Sequence, residues 1–335
     1  MEQIIIYGAG NTARFAYDFL SQMYDVYCFI DGKNPEKWGT TIYGKKVCSP
    51  EILREYRTTM VVIASNYAKE ILPELKKYHL TNVHIYQCGI TRYLVDVMED
   101  LAEKRTIDLG KFFHNHSEKI LCKELTFTYG GSGVLDYMFI KSIAEVFHCK
   151  RYLEIGSYIG ESINILTDCC EELYSITAPL DSEFSMRHFC EENGIADYSG
   201  RLIKSPKIVQ YHADSKLFDY SQLPEGIDLF FIDGDHSYEG VYSDTRNIFS
   251  IKAPWSIVIW HDAKNADGSF NAEVLNAIHD ALGSAFENFY VTDHNMCDIY
   301  LPDKEKSKFP ILVKTAADDV PLYTYDVLIE NYSIH

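Results

Sequence analysis

The chain is short of positive charge. Lys plus Arg number 31 against 49 Asp plus Glu, a formal net charge of -18 over 335 residues. Such a surface repels polyanions, so neither nucleic acid nor an anionic membrane is expected as a partner. The deficit is uneven. Residues 1–90 hold 10 basic and 9 acidic side chains, leaving 21 against 40 for the rest, an asymmetry that suggests two units with different tasks. No run of 18 apolar residues occurs, so no membrane span is expected. The start, MEQIIIYGAG, lacks a basic stretch followed by a long apolar one. No signal peptide is therefore expected, and the cytoplasm is the expected compartment. No Cys-x-x-Cys is found, and the nine cysteines are odd in number and lie mostly within apolar runs. That pattern fits buried free thiols in a reducing compartment better than disulfides or a thiolate metal site. Low-complexity segments and short repeats are missing too. What is present is core material: 47% hydrophobic and 24% charged residues, in a length that suits two domains.

Ile4-Ile5-Ile6-Tyr7 is the short apolar run of a buried parallel strand. It leads into Gly8-Ala9-Gly10-Asn11-Thr12-Ala13, which fits G-x-G-x-x-G/A, and then into a helical pattern with Phe15, Phe19, Leu20 and Met23 on one side. A second strand, Asp25–Ile30, ends at Asp31, and further strands are expected at Val61–Ser65 and Asn82–Tyr86. In a mononucleotide fold the glycines admit a phosphate, the helix N-terminus supplies free N–H groups, and an acid about 20 residues on holds a ribose hydroxyl. Gly8, Gly10, Asn11 and Asp31 are accordingly the candidate nucleotide-binding residues of a Rossmann-like unit over residues 1–90. The other reading of the two glycines is tight strand–helix packing alone. With IIIYGAGNTAR, FIDGKNPEKWGTTIYGKKV and SPEIL, this stretch resembles the N-terminal domain that precedes bacterial sugar-modifying enzymes. In the acetyltransferases among them that domain binds the nucleotide-sugar substrate.

Between the units, residues 91–133 read as a helical linker and lid. Apolar residues at helical spacing predict an amphipathic helix over 92–105. His114 and His116 have no third ligand nearby and are read as solvated. Thr128–Gly133 is a glycine cluster ahead of a helix over Val134–Phe147, either a plain turn and cap or a lid over a small-molecule site.

From Arg151 the pattern restarts. Arg151–Ile155 is a strand, Gly156-Ser157-Tyr158-Ile159-Gly160 a turn, and a helix with Ile163, Ile165 and Leu166 follows, reaching the vicinal pair Cys169–Cys170. An acid at the strand end followed by G-x-x-x-G leaves no room prepared for a pyrophosphate. It lets the amino-acid end of S-adenosylmethionine rest on backbone amides, with Glu154 accepting from its ammonium. Strands follow at Leu173–Thr177, Lys207–His212, Ile227–Ile232, Ser256–Trp260, Asn288–Thr292 and Asp298–Leu301, with helical segments between the earlier ones. The fold class is therefore α/β: two tandem Rossmann-like, doubly wound sheets. Ligands in such sheets sit at the carboxyl ends of the strands, here Glu154–Gly160, Thr177, Ala213–Ser215, Asp233–His236 and His261–Asp262.

YLEIGSYIGES, HADS, DLFFIDGDHSYEGVYSD and VIWHDA resemble class I S-adenosylmethionine-dependent methyltransferases, nearest to the macrocin O-methyltransferase-like and cephalosporin-hydroxylase-like branch. The resemblance spans about 150 residues within a domain expected over 134–305, a scale that suits one such domain. It implies cofactor contacts from Glu154, Gly156, Ser157, Tyr158 and Gly160, with Ser162 and Asp233 beside them, and adenine contacts near Asp214 and Ser215. It also implies an acid at the end of the second strand for the ribose. This chain has Thr177-Ala178 there, leaving Asp181 or Glu183 to substitute from the next loop.

Methyl transfer to a hydroxyl requires the acceptor oxygen to be held in line and its proton to be removed. By the resemblance Asp235 is the candidate base, with His236 the alternative because its imidazole titrates near neutrality. The resemblance also implies a divalent cation such as Mg²⁺ held after the fourth and fifth strands, with Asp233 and Asp262 as candidate ligands and His261 where an acid is common, although an imidazole suits softer ions. The reading that follows is methylation of an oxygen, with a nitrogen as the alternative, of a sugar, nucleotide sugar or other small polar acceptor, and the N-terminal resemblance implies surface polysaccharide or glycoconjugate biosynthesis. One rival is a non-catalytic ligand-binding or assembly protein that keeps both folds. The other is an NAD-dependent oxidoreductase using Gly8–Ala13 and Asp31, for which no catalytic Tyr-x-x-x-Lys follows within residues 1–90. Residues 306–335 form a C-terminal extension that adds either an edge strand or a homo-oligomer contact.

Overall fold

The computed structural model describes residues 1–312, apart from 66, 87–89, 117–118, 127–129, 180–190, 192–193, 195–199 and 266–267. Two compact units are present: residues 1–99 with 272–276 form one, and the other described residues form the second.

The first unit is a sheet whose central strands carry buried apolar runs, as expected where both faces are covered. Its strands are β1 (Gln3–Tyr7), β2 (Asp25–Ile30), β3 (Thr41–Ile42), β4 (Lys45–Cys48), β5 (Met60–Ile63), β6 (Val83–Tyr86) and β7 (Ile90–Arg92). They lie in the order β3-β4-β2-β1-β5-β6-β7. β1 pairs in parallel with β2 and β5, and the outermost pairs on both sides are antiparallel. Alternate side chains feed two cores, Ile4, Ile6, Phe29 and Val62 on one face and Ile5, Ile30, Val61 and Ile63 on the other. Each such burial contributes about 2 kcal/mol.

The helices of this unit are α1 (Asn11–Leu20) and α2 (Ala68–Leu75). The face of α1 differs from expectation. Ala13, Ala16 and Leu20 are buried, whereas Phe15 is 71% exposed and Phe19 and Met23 are nearly half exposed. Two alanines let the helix come close to the sheet, which the aromatic rings would prevent. The approach ahead of the helix is also tight. A Cβ on Gly8, at φ +137°, would lie 2.4 Å from the Ala64 carbonyl oxygen.

After α3 (Val95–Lys104), the second unit contains β8 (Thr106–Ile107), α4 (Leu109–His116), α5 (Val134–Val146), β9 (Arg151–Ile155), α6 (Glu161–Asn164), β10 (Glu172–Thr177), β11 (Ile208–His212) and β12 (Leu229–Ile232). It continues with α7 (Tyr238–Ile251), β13 (Ile257–Trp260), α8 (Ala272–Leu282, whose residues 272–276 belong to the first unit), β14 (Phe289–Thr292) and β15 (Asp298–Tyr300). The strands form one sheet in the order β11-β10-β9-β12-β13-β15-β14-β8, antiparallel where β15 pairs with β13 and β14. This is the mixed α/β, parallel-dominated architecture expected. Ile311 makes a single antiparallel bridge to Ile107 at the sheet edge. The rest of the expected carboxyl-terminal extension, residues 313–335, falls outside the described residues.

One expected helix is cut short. α6 is a single turn, and residues 165–169 continue as turns closed by bonds such as Leu166 N–H to the Ile163 carbonyl and Thr167 N–H to the Asn164 carbonyl. The cause is Lys141 of α5, whose fully buried ammonium donates to the Ile165 carbonyl at 2.8 Å and pairs with Asp168. It occupies an acceptor that a continuing helix needs. Cys169 and Cys170 therefore lie on a turn and at its end rather than on a helix. Every cysteine among the described residues is a free thiol.

Candidate active site

Four parallel strands, β9 to β12, deliver their carboxyl ends to the same side of the second sheet. The tightest part is the turn after β9. Gly156 has φ +89°, and a Cβ there would lie 2.0 Å from the Asp233 carbonyl oxygen, so only glycine allows this turn to lie against the end of β12. Gly160, at φ +93°, is similarly closed off, because a Cβ on it would lie 2.6 Å from Ile203 Cγ1. Tyr158 also takes a positive φ, 42°.

Glu154 is completely buried behind this turn. Its Oε2 accepts from the Tyr152 hydroxyl at 3.0 Å and the Ser162 hydroxyl at 2.7 Å, while Oε1 has no partner. Burial raises its pKa to about 7, against the hydrogen bonds from Ser162, Ser157 and Tyr152 that favour the charged form. A half-satisfied carboxylate of this kind is a ready acceptor for an ammonium. Ser162 is thus placed behind Glu154, and the Ser157 hydroxyl meets that of Ser175 on β10. At the carboxyl end of β10, Thr177 and Ala178 stand where the resemblance implies a ribose-binding acid, and Asp181 and Glu183 lie outside the described residues.

Beside the turn, His261 is held among carboxylates. Its Nδ1 lies 3.3 Å from Asp233 Oδ1 and 3.0 Å from Asp262 Oδ2, and its Nε2 is 3.4 Å from Asp136 Oδ2 without hydrogen-bond geometry. Burial alone would lower its pKa, but Asp233, Asp136 and Asp262 outweigh that and raise it well above the usual value. Asp262, at φ +60°, bridges to His236, whose Nδ1 is 2.9 Å from Asp262 Oδ2. That bond raises the pKa of His236, and the two histidines hold Asp262 far below the usual carboxylate range despite its burial. His236 is 52% exposed.

Asp233, His261 and Asp262 offer three ligand atoms within 4.8 Å of one another. Their spacing fits a divalent cation, and the imidazole makes the donor set better suited to Mn²⁺ or Zn²⁺ than to Mg²⁺.

Asp235 is not brought into this cluster. Its Oδ1 accepts from the Ser237 N–H at 3.0 Å, and its Oδ2 lies 3.3 Å from Lys216 Nζ. Burial would raise its pKa, yet the bonds from Ser237 and Lys216 lower it, which makes a weak base. Asp214 Oδ1 accepts from the Lys216 N–H, and the Ser215 carbonyl accepts from Tyr220 and Asn247, so this loop lies next to Asp235.

Three participants were not singled out from sequence. Asp136, in the first turn of α5, accepts from the N–H groups of Gly133 and Met296, both at 2.8 Å, and stands behind His261. The bond from the Gly133 N–H back to Asp136 is local, but the nearness of Asp136 to His261 depends on the sheet order. Glu161 ties Thr126 and Tyr137 to the start of α6. Asp244 of α7 is fully buried, and burial raises its pKa to about 6 against a bond from Ser215 that favours the charged form.

In the first unit Gly8, Gly10, Asn11 and Asp31 all line a cavity of about 360 Å³. The ribose role expected of Asp31 meets an obstacle. Its carboxylate already accepts from the N–H groups of Lys33 (3.0 Å) and Asn34 (2.9 Å), the Asn34 amide, and Lys37 Nζ at 3.0 Å. Burial is outweighed by these bonds, and its pKa is lowered. The acid organises its own loop.

No curated protein matches the chain. Among solved structures, a UDP-D-quinovosamine 4-dehydrogenase from Vibrio fischeri is 19% identical over 28% of this chain and 95% of its own, at a TM-score of 0.24. An SAH-bound Podospora anserina methyltransferase is 15% identical over 52% of this chain and 80% of its own, at 0.36. A TDP-rhamnose 3'-O-methyltransferase of calicheamicin biosynthesis is 12% identical over 50% and 78%, at 0.35. Residues 1–86 match the family model described as C2185-like, N-terminal. Residues 153–263, which include the turn, Asp233, His236, His261 and Asp262, match the family model of a methyltransferase domain.

Proposed function

We propose that the second unit transfers a methyl group from S-adenosylmethionine to a hydroxyl of a small polar acceptor. The observation that carries this reading is the Glu154–Gly160 turn, where a buried carboxylate with one unpartnered oxygen lies behind a glycine bend closed against Asp233. In this reading the bend receives the donor's carboxylate and Glu154 accepts from its ammonium, the two ends of an amino acid. The methyltransferase-domain match over residues 153–263 supports it.

In the proposed step the acceptor oxygen attacks the sulfonium methyl carbon. The C–O bond forms as the S–CH₃ bond breaks, and S-adenosylhomocysteine leaves. The proton passes to His236 Nε2, on the exposed ring that Asp262 orients through Nδ1. A divalent cation held by Asp233, His261 and Asp262 would lower the acceptor hydroxyl's pKa. A sugar or nucleotide sugar is the proposed acceptor. This rests on the resemblance of residues 1–86 to the domain that precedes sugar-modifying enzymes, and it places the protein in glycoconjugate or surface polysaccharide assembly.

Calorimetry with S-adenosylmethionine and S-adenosylhomocysteine tests the reading. Wild type binds both, and Glu154→Gln binds about 10–100-fold more weakly, the worth of a charge-assisted hydrogen bond. Absence of binding to wild type overturns it. A non-catalytic protein is the second reading, favoured by Thr177 and Ala178 at the end of β10. Donor binding without turnover on any sugar acceptor would support that alternative.

A further inference from the structure

The second unit has another cleft, away from the site just described. It has a volume of about 940 Å³ and lies at the opposite, amino ends of β9, β10, β12 and β13, where Lys150, Arg151, Glu171, Glu172, Asp228 and Trp255 line it. β9 separates it from the Glu154 turn by five residues, about 17 Å of extended chain.

The cleft is built around one aromatic face. Trp255 is 56% exposed, yet its ring is not free to turn. Nε1 donates to Asp228 Oδ1 at 3.0 Å, and the ring rests beside Gly226, where a Cβ would lie 3.6 Å from Cζ2. Asp228 is itself fixed, because its Oδ2 accepts from the N–H groups of Lys150 at 2.9 Å and Arg151 at 3.0 Å. The Arg151 guanidinium is set by Glu172, through Nε–Oε2 and Nη2–Oε1 at 3.2 Å, and by the Glu225 carbonyl at 3.1 Å. One indole face and a rim of donors and acceptors are thus held in place before any ligand arrives, which removes most of the ordering cost of binding.

The charge of the rim selects among ligands. Lys150 and Arg151 face Glu171, Glu172, Glu225 and Asp228, a local excess of two negative charges. The carboxyl end of α7, at Ile251, adds the negative end of a helix dipole. Phosphates and other anions are therefore disfavoured. A flat, polyhydroxylated, uncharged ligand suits both features, because an indole face takes the apolar face of a sugar ring while the rim takes its hydroxyls.

We infer that this cleft is a carbohydrate site, holding an uncharged hexopyranose unit stacked on Trp255. The inference does not depend on methyl transfer: it stands on the cleft alone, and a protein without donor binding would still bind the sugar.

Saturation-transfer NMR on the full chain tests it, with methyl β-D-glucopyranoside, methyl β-D-galactopyranoside and methyl N-acetyl-β-D-glucosaminide as probes and glucuronate as the anionic comparison. At least one neutral probe receives saturation on its ring protons from wild type, and glucuronate receives less. Trp255→Ala weakens binding about fivefold, the worth of one stacking contact. Ser250→Trp, which fills the cleft from its rim without touching the Trp255–Asp228 bond, abolishes the signal and serves if the alanine variant does not fold. Glu154→Gln leaves it unchanged. Silence from all three neutral probes, or a signal that persists at full strength in both cleft variants, overturns the inference. Equal transfer to glucuronate overturns the selection for uncharged ligands.

Discussion

Gly156 and the Asp233 carbonyl are in such close apposition that a Cβ would fall 2.0 Å from the oxygen. The glycine also has φ +89°, so both sterics and backbone strain oppose a side chain. Gly156→Ala is expected to cost about 3 kcal/mol or more of stability. Chemical denaturation of the variant checks this. A loss under about 1 kcal/mol would mean that the turn has room to relax.

Glu154 couples stability to pH. Its folded pKa of about 7 lies above the ordinary value of 4.5, so the native state holds a proton that the unfolded chain has already released. The resulting stabilisation is complete below pH 4.5 and is lost as pH rises to about 7, a change of about 3 kcal/mol. Glu154→Gln has no such proton to lose. Relative to wild type it should gain stability between pH 5 and pH 8 while donor affinity falls. Parallel denaturation curves for the two proteins across that range would contradict the assignment.

His236 and Asp235 are neighbours with different surroundings. His236→Asn is expected to lower turnover by about 10²–10⁴-fold with donor affinity unchanged. Asp235→Asn, which removes a partner of Lys216 and Ser237, should cost less than His236→Asn does. Single-turnover rates with matched calorimetry separate the two, and the reverse ranking restores Asp235 as the base.

Asp31 provides a contrasting case of lowered pKa. Asp31→Ala removes the acceptor for two backbone N–H groups and Lys37, at a cost of about 1–2 kcal/mol to the first unit at neutral pH. Its carboxylate contributes stability above the ordinary range for Asp and loses it as pH falls through the lowered folded pKa. The difference between variant and wild type should therefore shrink in acid, which thermal melts at pH 3 and pH 7 measure.

For the three-ligand cluster, Mn²⁺ should raise the melting temperature of wild type more than Mg²⁺ does, and Asp233→Asn should abolish the difference. Equal shifts for both ions in both proteins would point to nonspecific binding at the acidic surface.

Much of the fold was legible because it rests on local pattern. The apolar runs at Ile4, Val61, Leu229 and Ile257 are strands with both faces covered, and the observed limits differ from the expected ones by a residue or two. α1 was legible as a helix but not in its orientation. Phe15 and Phe19 are more hydrophobic than Ala13 and Ala16, yet close packing on the sheet selects small residues. The truncation of α6 was illegible for another reason. It depends on Lys141, 20 residues before Glu161, reaching a carbonyl that local propensity assigns to the helix.

The site shows the same division. Glycines at 156 and 160 announce themselves because a turn needs them. The environment that distinguishes His236 from Asp235 is tertiary, since it is set by Asp262 after one strand and Lys216 after another. Asp136 is more distant still in sequence, and nothing in its local motif points to His261.

β9 has a different consequence. Both its neighbours hold it in unbroken parallel register, Glu172 opposite Arg151 and Leu229 opposite Tyr152, so it cannot slide along its own axis without breaking two ladders at once. Arg151 at its head and Glu154 near its tail are fastened to a spacer of fixed length. Occupancy at one extremity should leave affinity at the other untouched, and the free energies of filling both should simply add.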